Sequence, residues 1–487
     1  MSIFKNYKYI VLAALVASCT YDFPEPDIAE PTSGSADFTK IISVGNSLTA
    51  GFMDGALYNR GQENSFAVML AEQARAVGGG DFNVPDINSE NGFFQMGPQG
   101  PLGRLVLTVN PNTGATGPAP IGAGELPGNF SGNVAELNNF GVPGITLLTA
   151  LIPQTGGPAI PENPAYNRLY ERFASNPGTS TVIGDAAAAL ANGGTFFTFW
   201  LGNNDVLGYA TGGASNPAIL TSDTDFQQRL GAALGAMLQA NPDAKGAVAN
   251  IPSLSVLPYF TLVPWNALPL AQAQADQANQ GYLPYNGGLA QARAAGLITA
   301  EEENYRRVEF QAGQNGFVMD DENLTDLSAL GLPSIRQSKP ADRATLPLSS
   351  ALGQVVADNP ALIRGISFPV EDRFVLTPEE QDEISNKITT FNGLINAAVQ
   401  SNNERLVLID VNNLLNRVLS GQVSAGGVAL NASIIPPNGG FSLDGVHPNA
   451  RAHAFVANLF IDRINEKWGA NIPRTNPNAF IGNDLPR

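Results

Sequence analysis

The chain contains very little cysteine and histidine. Cys19 is the only cysteine among 487 residues, so no disulfide can form within the chain and no cysteine-based metal centre can be built. The two histidines, His447 and His453, would have to be joined mostly by carboxylates to make a zinc site, which is uncommon. We therefore expect a protein that uses no metal ion and no other cofactor.

Basic residues are also scarce. The chain has 26 lysines and arginines against 43 aspartates and glutamates, which gives a net charge of −17. Such a surface repels nucleic acid and gains no attraction to anionic lipid head groups. We expect no nucleic-acid partner.

Long apolar runs are lacking after the N-terminus. Lys5 and Lys8 precede a short apolar run, a pattern typical of an export signal rather than of a membrane-spanning helix. The run ends in Leu-Val-Ala-Ser before Cys19, which resembles the bacterial lipobox, in which cleavage precedes a cysteine that is then lipidated. The alternative is an ordinary signal peptide with an incidental cysteine.

The lipobox reading predicts the layout of the N-terminal segment. We expect a signal peptide over residues 1–18, followed at 19–36 by the lipidated Cys19 and a flexible tether rich in proline and acidic residues. The protein would then be an exported bacterial lipoprotein of the outer membrane, on its periplasmic or cell-surface face.

Beyond the tether, β-prone apolar runs alternate with helical patterns. This alternation favours an α/β fold, a three-layer sandwich with a mostly parallel central sheet flanked by helices. We expect one domain over 37–475, with insertions at 78–130 and 252–372 and a tail at 476–487. Within the second insertion, the pattern suggests a helix over 271–295 that is broken near Pro284, and a hairpin over 308–319.

A serine follows the first predicted strand. The apolar run at 41–44 ends in Gly45, Asn46 and Ser47, and small residues follow, which indicates a strand, a tight turn and a helix start. The carboxyl end of a strand and the N-terminus of a helix both suit a nucleophile whose reaction passes through an oxyanion. The alternative is that Ser47 only caps the helix.

An aspartate and a histidine lie three residues apart just before the last predicted helix. In one turn, the carboxylate of Asp444 can accept the Nδ1–H of His447 and leave Nε2 free as a base. A loop histidine with a local hydrogen bond is the alternative. His453 lies on the apolar face of the following helix, which favours a structural role.

Four short blocks occur in a fixed order, at residues 45–48, 144–146, 202–205 and 444–447. Their order resembles the serine, glycine, asparagine and histidine motifs of the SGNH (GDSL-type) esterase and lipase family. The resemblance implies an SGNH-hydrolase-like fold with Ser47 as nucleophile, His447 as base and Asp444 as its orienting partner. It also implies an oxyanion hole formed by the backbone N–H groups of Ser47 and Gly144 and the side chain of Asn204.

Two points qualify the resemblance. Family members usually carry aspartate where this chain has Asn46, and we expect altered local electrostatics rather than loss of activity. Gly141 competes with Gly144 for the role of backbone donor, although Gly144 fits the family's pattern better. Asp205 is expected to brace its loop rather than to react.

The resemblance implies a lipid-anchored serine esterase or lipase that cleaves carboxylic esters through an acyl-enzyme on Ser47. Its substrate would be a lipid, an acetylated glycan or a small ester. The alternative is a non-catalytic lipoprotein that keeps the fold and binds a surface partner, such as a neighbouring membrane transporter.

Overall fold

The computed structural model describes residues 30–109, 114, 116–254, 257–425 and 427–486. The predicted signal peptide, Cys19 and the first part of the tether lie outside these ranges. A central sheet has five strands, which coincide with the predicted apolar runs or lie inside them, apart from the short second strand. They are β1 (Ile41–Gly45), β2 (Asn139–Gly141), β3 (Phe196–Trp200), β4 (Lys245–Ala249) and β5 (Leu406–Ile409).

The sheet is entirely parallel, and its strand order is β5-β4-β3-β1-β2. The chain places β2 on one side of β1 and β3 on the other, so the direction of strand addition reverses at β1. Open parallel sheets hold ligands beyond the carboxyl ends of the strands at such a reversal. The loops that follow β1, β2 and β3 therefore meet at the natural place for a site.

Helices lie between the strands and in the insertions. In chain order they are α1 (Ser47–Ala50), α2 (Asn59–Glu63), α3 (Phe66–Ala74), α4 (Leu147–Leu151), α5 (Arg168–Glu171), α6 (Val182–Ala191), α7 (Asn204–Thr211), α8 (Asp223–Ala240), α9 (Gln272–Ala294), α10 (Ala300–Arg306), α11 (Leu348–Ala351), α12 (Pro378–Gln400), α13 (Val411–Leu419) and α14 (Ala450–Trp468).

Alternate side chains of the strands fill two apolar cores, one on each face of the sheet. On one face, Ile42 and Val44 pack with α4, α6, α8 and α12, where the rings of Phe226 and Phe391 stack at 3.8 Å. On the other face, Ile41 and Trp200 pack with α3 and α14. The prediction of an α/β fold with a parallel sheet flanked by helices is confirmed, and the arrangement is compatible with a three-layer sandwich.

The region predicted as the second insertion has an apolar core of its own. The core is formed by α9, α11, short strands and loops, and it includes the buried side chains of Leu289, Phe317 and Val318. The buried guanidinium of Arg336 lies within 2.5 Å of Asp321 and 2.6 Å of Asp342. By binding both buried carboxylates, Arg336 joins two loops of this region.

The predicted hairpin over 308–319 is wrong. Residues Gly313–Asn315 pair antiparallel with Leu268–Leu270, and Val318–Asp320 pair antiparallel with Ile335–Gln337. The two short strands in this part of the chain thus pair with other segments and not with each other. Periodicity alone cannot identify such partners because it reports only local spacing.

The predicted break in the helix near Pro284 is also wrong, because α9 continues through the proline. Proline normally removes one helical hydrogen bond and crowds the preceding turn. Here the hydroxyls of Tyr282 and Tyr285 donate to the carbonyls of Ile366 and Ile335 at 2.7 and 2.5 Å. These contacts tie the helix on both sides of the proline to the core of the insertion.

The first predicted insertion and the end of the predicted tether contact the parts of the chain that pack on the sheet. Two short antiparallel pairs occur between residues 78 and 130, namely Met96–Gly97 with Gly100–Pro101 and Leu105–Val109 with Thr116–Pro120. The end of the predicted tether contacts the last helix, since the N–H of Ser35 donates to the carbonyl of Trp468. Among the described residues, no helix combines the length and apolar character needed to cross a membrane.

Candidate active site

Ser47 is the first residue of α1, directly after the turn that ends β1. Asn46 caps this helix, because its side-chain oxygen accepts the N–H of Leu48 at 3.0 Å. The capping task therefore belongs to Asn46, and the hydroxyl of Ser47 is left for other contacts. Ser47 is 6% exposed, so little of its surface is in contact with solvent.

The structure brings Ser47, His447 and Asp444 together. The Nε2 atom of His447 lies 2.9 Å from the Oγ atom of Ser47, and its Nδ1 atom lies 2.8 Å from Oδ2 of Asp444. The loop that carries both residues is held by Asn449, which caps α14 and donates to the carbonyl of Gly439. In this arrangement the imidazole can take a proton from the hydroxyl while the carboxylate stabilises the resulting charge.

The carboxylate of Asp444 accepts several hydrogen bonds besides that of His447. The backbone N–H groups of Gly55, Val446 and His447 donate to it at 2.9 to 3.0 Å. Burial alone would raise the pKa of Asp444, but the imidazole and these N–H donors outweigh burial and lower it to about 2. Asp444 is therefore ionised and fixed in position at neutral pH.

A buried polar network behind Asp444 escaped the sequence reasoning. The hydroxyl of Ser442 donates to Asp444 and accepts the N–H of Asp54, both at 3.0 Å. Asp54 in turn accepts from the N–H of Leu443 and from the hydroxyl of Tyr58. The Asp54-Gly55 pair is a recognised turn signal, and it was the one local clue to this network.

Gly144 follows β2 and offers a backbone donor beside the cleft. It has a φ of +81°, which favours glycine, and it lines the cleft that contains Ser47. Its N–H has no protein acceptor among the described residues. The N–H of the rival Gly141 instead donates to the side chain of Asn139 at 2.8 Å, so only Gly144 keeps a free donor.

Asn204 follows β3 and lines the same cleft. Its Nδ2 atom donates to the carbonyl of Ile145 at 2.7 Å, which orients the amide group and leaves its second N–H unused by this bond. The neighbouring Asp205 accepts from the N–H of Leu147 and from the hydroxyl of Thr221, both at 2.9 Å. Burial raises the pKa of Asp205 to about 6, and its contacts connect the loop after β3 to the start of α4.

Two cavities meet at Ser47 and His447. One is a wide cleft of about 520 Å³ whose walls include Gly144, Phe52 and Phe94. The other is a narrower cavity of about 100 Å³ with an almost entirely apolar lining. Both share Asn204, so the reactive hydroxyl stands between two spaces of different character.

His453 does not belong to this site. It is fully buried in α14, where its Nδ1 atom accepts the N–H of Phe66 at 3.2 Å and its Nε2 atom has no partner among the described residues. Burial lowers the pKa of His453 to about 3, so the ring stays neutral. Its structural setting agrees with its place on the apolar face of the helix.

Ser47 and its neighbours offer one imidazole and one carboxylate, which is a poor set of metal ligands. Among the described residues, three carboxylates elsewhere lie close enough together to hold a metal ion, those of Glu322, Asp372 and Glu380. None of them lines either cavity at Ser47.

Comparisons with known protein families, with curated proteins and with solved structures find no match for this chain.

The neutral state of His453 predicts acid sensitivity. The folded state keeps the ring neutral, whereas the unfolded chain binds a proton below about pH 6.5, so folding stability is lost as the pH falls from 6.5 toward 3. We expect His453→Asn, which keeps an acceptor near Phe66, to change how the free energy of unfolding depends on pH. Its slope between pH 6.5 and 3 should be smaller than that of the wild type by about 1.4 kcal/mol per pH unit. Urea unfolding at pH 7, 6 and 5 measures it, and equal slopes in both proteins would contradict the assignment.

Proposed function

We propose that this protein is a serine ester hydrolase of the SGNH type, in which Ser47 is the nucleophile. The observation that carries the proposal is the continuous hydrogen-bonded chain from the hydroxyl of Ser47 through His447 to Asp444. A serine activated in this way attacks carbonyl carbon without a metal ion.

In the first half of the reaction, Nε2 of His447 accepts the proton of Ser47 as Oγ attacks the ester carbonyl. The tetrahedral intermediate carries a negative charge on the former carbonyl oxygen. The N–H groups of Ser47 and Gly144 and the second N–H of Asn204 supply donors for that charge. Collapse of the intermediate breaks the bond to the alcohol oxygen. This oxygen accepts the proton from His447, the alcohol departs, and an acyl-serine remains.

In the second half, a water molecule enters where the alcohol left. His447 accepts one proton of the water as its oxygen attacks the acyl carbon, and the same donors bind the second oxyanion. The proton then passes to Oγ of Ser47 as the acyl bond breaks, which releases the carboxylic acid. Asp444 stays ionised throughout and stabilises the imidazolium that forms in each half.

The family assignment is supported by the order of four sequence blocks together with the sheet. The blocks follow β1, β2 and β3 and precede α14, so all four contribute to the end of the sheet where its strand order reverses. Asparagine at position 46 is compatible with the proposal because its side chain caps the helix that begins with Ser47.

The proposal includes attachment to a membrane through lipid on Cys19. That part depends on the sequence of residues 5–19 alone. Metabolic labelling with an alkyne fatty acid, compared between the wild type and Cys19→Ser, would test it without involving the catalytic site.

A fluorophosphonate probe tests the nucleophile. We expect the wild-type protein to be labelled on Ser47, and we expect Ser47→Ala and His447→Ala to abolish labelling, because the first lacks the hydroxyl and the second cannot take its proton. In-gel fluorescence and peptide mass spectrometry measure the outcome. His453→Asn is the matched histidine control and should retain labelling. A folded wild-type protein that remains unlabelled would instead support the non-catalytic alternative.

The oxyanion donor gives a second test. Removal of the amide in Asn204→Ala should lower kcat for a p-nitrophenyl ester by about 10²- to 10³-fold with a small change in KM, since the donor acts mainly on the developing charge. Steady-state kinetics measure the change. Asn139, which is buried and binds the backbone of Thr49, offers a comparison variant, Asn139→Ala. If Asn204→Ala changed KM alone, a donor role in the transition state would be excluded.

A further inference from the structure

The narrower cavity at Ser47 has a lining that the reaction itself does not require. Its wall contains Trp200 from β3, Leu254 from the start of the second insertion, Val418 from α13 and Leu430 and Phe455 from beyond that helix. The cavity begins at Ser47 and His447 and continues to the apolar cluster formed by Val418, Leu430 and Phe455.

The helix α13 gives this cavity one of its walls. Val411, Leu414, Leu415 and Val418 recur at helical spacing and all line the cavity, while Asn412, Asn413 and Asn416 belong to the other side of the helix. The helix thus covers the cavity with its apolar face, and water gains few hydrogen bonds inside. An alkyl group is the kind of ligand that such a space favours.

We propose that this cavity binds the acyl chain of the substrate, and that the substrates are esters of medium-length apolar acids rather than acetyl esters. The inference depends on the proposed function and names the substrate class of the same site.

The two cavities can be assigned because the two products leave at different times. The alcohol departs first and water must then reach the acyl carbon, which requires the more open space. The wide cleft beside Gly144 and Phe94 meets that requirement. The acyl group stays attached to Ser47 between the two halves of the reaction, and the narrow apolar cavity can hold it there.

A panel of p-nitrophenyl esters tests the inference. From butanoate to octanoate, kcat/KM should rise by up to about fourfold for each methylene that the cavity buries. Esters of butanoic acid with methyl, butyl and octyl alcohols should show a weaker dependence on chain length. A preference for acetate, or a dependence that follows the alcohol instead, would overturn the assignment.

Variants at the far end of the cavity sharpen the test. Val418→Trp should lower the octanoate-to-butanoate ratio of kcat/KM by about tenfold or more, and Val418→Ala should move the preference toward longer acids. Leu330→Trp, at a position 52% exposed in the insertion, is the matched control and should keep the wild-type ratio. An unchanged ratio in Val418→Trp would overturn the inference. Absence of hydrolysis for every ester and of probe labelling would reject the proposed function itself.

A separate observation concerns Glu322, Asp372 and Glu380, which come from three segments of the chain. One carboxylate oxygen from each lies within 4.8 Å of the others. Two ligands of one calcium ion lie at most about 5.2 Å apart, since each Ca–O distance is about 2.3–2.6 Å. All three oxygens can therefore bind one ion, and a ligand set of oxygens alone favours a hard cation such as calcium.

Glu380 supplies the second observation. Its side chain is 6% exposed, its Oε2 atom accepts from Thr377 in the capping box of α12, and its Oε1 atom has no hydrogen-bond partner among the described residues. A buried, unpaired carboxylate oxygen beside two other carboxylates is costly without a cation. Burial and these neighbours raise the pKa of Glu380, and burial with nearby carboxylates raises that of Asp372 to about 7.

We infer that these three carboxylates bind a calcium ion, which joins the second insertion to the N-terminus of α12. Glu322 and Asp372 would contribute from the insertion and Glu380 from the helix that packs on the main sheet. The ion would stabilise the contact between the two cores and would take no part in ester cleavage.

Thermal unfolding of the full chain after treatment with EGTA tests this site. Calcium chloride should raise Tm more than magnesium chloride does, and Glu322→Gln and Asp372→Asn should each remove most of the calcium-dependent shift. Glu404→Gln, at another exposed position, should retain it. Equal shifts in the wild type and Glu322→Gln, or no shift in the wild type, would overturn the inference.

Discussion

The arrangement of this protein depends on the contact between the hydroxyl of Ser47 and the imidazole of His447, which joins the beginning of the chain to its end at 2.9 Å. Ser47 is fixed by the first strand of the sheet, whereas His447 lies in the loop before the last helix. Their contact requires that α14 pack on the same sheet in one register. Phe66 and Phe460, whose rings stack at 4.7 Å, bind α3 to α14 in the apolar core beneath the site. The chemistry of the site therefore depends directly on packing.

The polar network around Asp444 shows how the position of the imidazole is maintained. Asp54 and Gly55 follow the helix that begins with Ser47, and they bond to the loop that carries Asp444 and His447. Ser47 and His447 are therefore linked twice, once directly and once through this network. The second link holds a buried carboxylate by several donors, which fixes its orientation better than one ion pair would.

Most strands of the sheet and the residues near Ser47 could be predicted from the sequence because their signals are local, whereas β2, with three residues, is too short to give such a signal. A β-branched run that ends in glycine and a small polar residue marks the strand and turn at Ser47, and the spacing of Asp444 and His447 permits one turn to hold both. The network through Asp54, Tyr58 and Ser442 could not be predicted, since its partners lie almost 400 positions apart. Pairing in the second insertion failed for the same reason, because Val318 finds its strand partner only through the fold.

The two insertions supply the surroundings of the site without supplying its reactive groups. The first contributes Phe94 to the wide cleft, and the second contributes Leu254 and Tyr259 to the walls on the other side. The second insertion has an apolar cluster separate from the two cores of the sheet, although Leu254 and Tyr259 themselves pack with one of those cores. Ser47 is held by the sheet, whereas the far wall of the proposed acyl cavity is formed by Val418, Leu430 and Phe455, which belong to a small cluster of their own. A change in chain-length preference should therefore be easier to obtain in this protein than a change in reaction type.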